Sequence, residues 1–357
     1  MFLSWRIKPG FPGGSKEKVD MTQNIEQKQL AGQQYNNIDL WKFVMAFAVV
    51  AIHTDPVSNI QNQAFLRVYG IFVRLAVPFF FLASGYLLAV KMDVPYGSEG
   101  DLLRINRHLR SMARMYLTWT AIYAPLAIYR FAVTETRPMD AIILYLKGFF
   151  FIGAQDYSWH LWYLLSTVIA LWVIGFALKR KKGFWILLCI SLVAGVFLVG
   201  ISELVNAPGV LPKPLAAGRN LINRTIVNGA LFSGLVYIPV GMLLAHQKVP
   251  KYIYWLGFLG GFLLQYWTGN TAPGKYFLFV TAISFFGIVE GIRLSDRPIF
   301  RKLRAMSAAV YLTHMYVWVL SCLILYGEVR VGPEVFGVTS CACLALSALA
   351  ARKKANR

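Results

Sequence analysis

The chain has 357 residues, 57% of them hydrophobic and only 15% charged. With a mean hydropathy of +0.53, that balance excludes an ordinary soluble domain and points to a helical membrane bundle. The net charge of +20 would suit a nucleic-acid partner if it were clustered, but it alternates along the chain in a way that excludes that reading.

Residues 1–35 are polar, rich in Lys, Gln and Gly, and hold no cleavable signal pattern. They read as a disordered cytoplasmic tail. Beyond them lie ten largely apolar stretches, near 38–56, 70–90, 112–130, 160–178, 184–202, 228–246, 252–268, 275–292, 308–326 and 335–351. A bilayer core of about 30 Å needs roughly 20 such residues per helix. The expected fold is therefore all-α, a polytopic bundle of about ten transmembrane helices over residues 36–351. Residues 352–357 form a short basic cytoplasmic tail, and no further domain is expected.

Placing the N-terminus inside assigns 25 of the 36 Lys and Arg residues to cytoplasmic segments and 9 to outer ones, with Lys42 and Arg74 inside spans. This is the positive-inside signal. It predicts a multi-pass plasma-membrane protein with both termini cytoplasmic and basic loops resting on anionic lipid head groups. Cys189, Cys322, Cys341 and Cys343 all fall within spans and form no CxxC pair, so neither a disulfide nor a metal site is indicated. Two connections are long. Residues 131–159 contain an apolar run, Ala141 to Gly153, too short to span and expected at the outer interface. Residues 203–227, with Pro208, Pro212, Pro214, Arg219 and Arg224, are also expected outside.

Ionisable groups at membrane depth are costly, so each needs a partner or a job. In the first span Asp39, Lys42 and His53 fall within about 60° of one another on one helix face. Lys42 and His53 are separated by eleven residues, about 16 Å along the axis, which puts Lys42 toward the cytoplasm and His53 toward the outside. A structural reading pairs Asp39 with Lys42 and makes His53 a satisfied helix-end residue. A functional reading makes His53 a proton acceptor, since neutral imidazole takes a proton near pH 7.

The second span carries Arg74 near its outer end, Pro78 as a kink, and a Ser84-Gly85 pair that permits close packing. Arg74 cannot neutralise itself and must meet an anion, carbonyl groups or water. The fourth span opens with Trp159-His160-Leu161-Trp162-Tyr163-Leu164. An aromatic belt accounts for its Trp and Tyr residues, but not for a second histidine at the depth of His53. Two outer histidines with Arg74 would suit proton transfer beside a developing negative charge. His314, in Tyr311-Leu312-Thr313-His314, is expected in the inner third near Lys42. Arg224 and Asn228 could join the outer cluster. Glu203 and Glu290 read as solvated helix ends, and His108 and His246 as plain cytoplasmic residues.

These pieces together resemble the acyltransferase family 3 of membrane proteins, over Asn36 to Ala351. The matching motifs are Asp39-x-x-Lys42-x10-His53, Val77-Pro78-Phe79-Phe80 through Ser84-Gly85-Tyr86, His160-Leu161-Trp162-Tyr163-Leu164, and Tyr311-Leu312-Thr313-His314. The resemblance implies ten core helices, an essential basic residue and histidine in the first span, and transfer of an acyl group from acyl-CoA to a hydroxyl of a cell-envelope carbohydrate. The chain departs from the family in Lys42, where arginine is usual, keeping the charge but losing bidentate binding. Within the family, the spellings Ala51-Ile52-His53-Thr54-Asp55-Pro56 and Asn228-Gly229-x-Leu231-Phe232 are most similar to the membrane half of vancomycin-resistance serine racemases, without their racemase domain.

The expected roles follow from that resemblance. His53, His160 and Arg74 act at the reacting centre. Lys42, Asp39 and His314 hold the donor, acetyl-CoA or another acyl-CoA, with no permanently bound cofactor. Trp162, Tyr163, Ser84, Arg224 and Asn228 line the substrate path to an envelope carbohydrate or lipid-linked acceptor. The competing reading is a transporter or flippase for serine or an envelope precursor, which would need a similar polar path.

Overall fold

The computed structural model describes residues 35–206, 218–219, 222–223 and 231–355, the last four of these by backbone alone. Among them there is no strand. Twelve α-helices run in order: α1 Asn36–Thr54, α2 Gln63–Arg74, α3 Ala76–Ala89, α4 Glu99–Val133, α5 Pro138–Lys147, α6 Trp162–Ala177, α7 Gly183–Asn206, α8 Ser233–Leu244, α9 Lys251–Thr268, α10 Ala272–Glu290, α11 Pro298–Tyr326 and α12 Pro333–Ala355. Among the described residues, every expected span but one falls on a single α-helix, to within a few residues at its ends. By length and composition, seven stretches among the described residues suffice to cross a membrane, α2 and α3 counting together as one. The three that fall short are α4, with a charged first half, the short α8, and α9, rich in Tyr and Trp.

One expected span is broken. Residues 70–90 do not form a single helix, because Pro78 has no N–H to offer the carbonyl of Arg74. The chain turns at Leu75, whose N–H bonds to Phe72 O instead, and α3 starts afresh at Ala76. Arg74 thus ends a helix instead of lying inside one.

The buried centre is α3, packed against α1, α8 and α10. Its side chains Phe79, Phe81, Leu82 and Ala83 are essentially inaccessible. Close approach to α8 depends on two glycines, one on each helix, each facing the backbone of the other helix. A Cβ on Gly85 would collide with the carbonyl oxygen of Ile238, and one on Gly241 with that of Leu82. Small residues serve this purpose between membrane helices, where backbone proximity replaces the hydrophobic drive.

α1 and α11 lie side by side and parallel. Arg304 binds Asp39 and Ser307 Oγ donates to Lys42 O at 3.0 Å, both across the same separation of 265 residues. That constant offset fixes the register of the two functional helices. At the start of α1, Asn37 Nδ2 donates to the carbonyls of Val289 and Glu290 at 2.7 and 2.9 Å, closing the exposed end of α10.

Candidate active site

Asp39 is buried at 2% exposure and accepts a two-point bond from Arg304, with Nε and Nη2 at 2.9 and 2.6 Å. The expected Asp39–Lys42 pair is therefore corrected: a guanidinium fork matches a carboxylate better than an ammonium does. Lys42, half-buried, points into an open cavity of about 610 Å³.

That cavity has an unequal lining. One end carries Lys42, Lys91, Arg104, Arg107, His108 and Arg304, and among the described residues no acidic one lines it. The other end is Phe80, Leu164, Leu312, Tyr163 and Tyr311. Ser84 contributes to the wall and shares a 3.2 Å hydrogen bond with His108 Nε2. His108 is thus a cavity residue and not a plain cytoplasmic one. α4 supplies much of the basic end from a single face: Arg104, Arg107, His108, Ser111, Met112 and Met115 recur at helical spacing.

Tyr311 connects the cavity to a histidine cluster. Its hydroxyl donates to His160 O, and its ring lies 5.5 Å from that of His160 and 6.1 Å from that of His314. The rings of His160 and His314 meet edge to face at 4.8 Å. His314 and His53 stack at 5.3 Å, and Trp159 lies 6.1 Å beyond His53. Tyr123 closes the back, 5.1 Å from His160, with its hydroxyl donating to Leu312 O.

His314 therefore does not lie beside Lys42, as expected from counting inward along its span. The register set by Ser307 and Lys42 carries His314 seven residues, about 10 Å, further along α11. His53 is four residues beyond the matching position on α1, and its ring still reaches that of His314. Nδ1 of His314 bonds the carbonyls of Tyr311 and Val310 at 2.8 and 3.2 Å. A carbonyl only accepts, so Nδ1 carries the hydrogen. Nε2 is then a bare lone pair, buried and without a hydrogen-bond partner.

Two expected members stand elsewhere. Arg74 donates to Asn270 Oδ1 at 3.2 Å and lines a different recess beside α9. That recess lies between α2 and the end of α9 and shares no residue with the histidine cluster. Trp162 packs on Phe81 at 6.0 Å and is not among the cavity residues, whereas Tyr163 is. Arg224 and Asn228 lie outside the described residues. Among the described residues, no group of three His, Cys, Asp or Glu side chains is arranged to hold a metal ion.

A parallel pair of helices with a basic cavity at one end and three clustered histidines at the other is the candidate site of the bundle. The chain belongs to the acyltransferase domain family, whose match covers residues 35–352. It is similar to a serine/alanine racemase of Enterococcus gallinarum, at 26% identity over 296 residues, covering 78% of this chain and 40% of that protein. It is also similar to an amino-acid racemase of Enterococcus faecalis, at 32% identity over 166 residues, 46% of this chain and 22% of that protein. The chain thus spans less than half the length of these relatives. No solved structure matches.

Proposed function

We propose that this protein transfers an acyl group, acetyl in the simplest case, from acyl-CoA to a hydroxyl of a cell-envelope carbohydrate or lipid-linked acceptor. The observation that carries this reading is the basic cavity ending at Tyr311, immediately behind which the three histidines cluster. Coenzyme A bears three phosphate groups. Lys91, Arg104, Arg107 and Arg304 are the residues to bind them, and Met112, Met115 and the two tyrosines are suited to the apolar pantetheine and acyl parts. Lys42, the member of the basic end contributed by α1, is the residue to meet the polar groups near the thioester.

The acceptor approaches from the His53 side. His53 takes the proton of the acceptor hydroxyl as that oxygen attacks the thioester carbonyl. The new C–O bond forms, the C–S bond breaks, and the coenzyme leaves as a thiolate that takes up a proton. Stacking on His314 fixes the plane of His53, and the bare Nε2 of His314 offers a second acceptor for the moving proton.

One second reading is movement of a small amino acid across the membrane, and the relatives' names, which are those of serine/alanine and amino-acid racemases, make serine the solute to test. The two readings separate in liposomes containing purified protein. The transferase releases free coenzyme A thiol from labelled acyl-CoA when acceptor lipid is present. A transporter leaves acyl-CoA intact and accumulates labelled serine, and that result would displace the transferase reading.

A further inference from the structure

The break at Leu75 leaves α2 as a twelve-residue amphipathic helix bearing Arg67 and Arg74. Seven residues apart, they stand on nearly the same face, roughly 10 Å apart along the axis. Gly70 lies between them, and a Cβ added there would meet nothing within 4 Å. The missing side chain leaves open space. Across it, the end of α9 and the following turn supply Gln265, Gly269 and Asn270, enclosing a recess of about 330 Å³. No residue of the basic cavity or the histidine cluster lines it.

The polar groups of this recess are under-used. Arg67 Nη1 donates to Tyr266 O at 3.1 Å and Arg74 Nη1 to Asn270 Oδ1 at 3.2 Å, both neutral acceptors. Neither arginine forms an ion pair among the described residues. Each guanidinium has five donors, so most are free. Gln265 is only 2% exposed, yet its Oε1 accepts no hydrogen bond from the described residues. A buried amide oxygen without a donor is costly, and a ligand's hydroxyl or ammonium would relieve that cost.

We propose that the recess between Arg67, Arg74 and Gln265 is a second binding site, taking a carboxylate or phosphate group that carries a hydrogen-bond donor beside it. The two guanidinium forks hold the oxyanion, and Gln265 Oε1 accepts from the neighbouring donor. A soluble acid and an anionic lipid head group share this chemistry. The site stands independently of acyl transfer, because its test reads binding alone.

Phenylglyoxal labelling read by mass spectrometry reports each arginine separately. In full-length protein held in phosphatidylcholine nanodiscs, inorganic phosphate is expected to protect Arg67 and Arg74 saturably, and chloride at equal ionic strength is not. Gly70→Met keeps both charges but fills the open space, and should abolish the saturable protection. Arg74→Gln should weaken phosphate protection of Arg67 about tenfold, through loss of one charge-assisted partner. Protection without phosphate in phosphatidylglycerol nanodiscs would assign the oxyanion to a lipid head group and support the site equally. Protection in neither setting overturns the proposal. So does undiminished protection in both variants, since that would be diffuse screening of surface charge.

Discussion

His53 and His314 show how position on a helix translates into chemistry. Eleven residues separate Lys42 from His53, and that spacing alone put the two on one stripe at opposite depths. His314 was misplaced by the same counting, because its depth depends on the register of α11 against α1, set by Arg304 and Ser307. Such long-range pairs have no local signal. The general-base role predicts that His53→Gln lowers single-turnover acyl transfer by about 10²–10⁴-fold, because an amide takes up no proton near neutral pH. Acyl-CoA binding and the amount of folded protein should stay near wild type. Turnover close to wild type, normalised to folded protein, would remove His53 from the mechanism.

Lys42 and Asp39 separate into different roles at the same scale. Lys42 faces the cavity, so Lys42→Met should weaken acyl-CoA binding while Lys42→Arg retains it, as measured by titration with labelled donor. Asp39 instead clamps Arg304. Asp39→Asn should destabilise the protein by about 1–3 kcal/mol, the cost of leaving a charge-assisted bond incomplete, seen as a lower thermal unfolding midpoint. An unchanged midpoint would mean that the clamp adds nothing to the α1–α11 contact.

Among the elements, the apolar helices were legible and their breaks and polar extensions were not. Pro78 is legible as a kink, yet only the structure shows that α2 ends at Arg74 and that Arg74 bonds Asn270. α4 is the larger omission. Its 35 residues make a rod of about 52 Å, longer than the bilayer core, and only its apolar second half was counted as a span. Its basic residues were read as topology signals alone. The helical spacing of Arg104, Arg107, His108, Ser111, Met112 and Met115 was present in the sequence and describes one face, but nothing local said that this face lined a cavity. The α3–α8 crossing is the element contact most exposed to test. Gly241→Ala puts a methyl group against a backbone carbonyl that has no rotamer to yield, so a loss of about 1–3 kcal/mol is expected. The readout is the unfolding midpoint in detergent, with Gly260→Ala, which meets open space, as the tolerated comparison.

For the whole molecule, the proposed function gives the basic residues two roles that coincide in space. The charges that favour a cytoplasmic location for loops also surround the cavity proposed for the donor. Reporter fusions after residues 100 and 180 should accordingly report cytoplasm, and fusions near 62 and 330 the outside. The same arrangement implies a vectorial reaction, with donor entering at the Lys42 end and acceptor at the His53 end. The most direct test uses liposomes in which the protein is inserted in one known orientation, with labelled acyl-CoA supplied to one face at a time and acceptor lipid present. Release of coenzyme A thiol and labelling of the acceptor only when donor reaches the face bearing Lys91, Arg104 and Arg107 is the predicted result. Consumption from the opposite face alone, or no consumption from either, would contradict it.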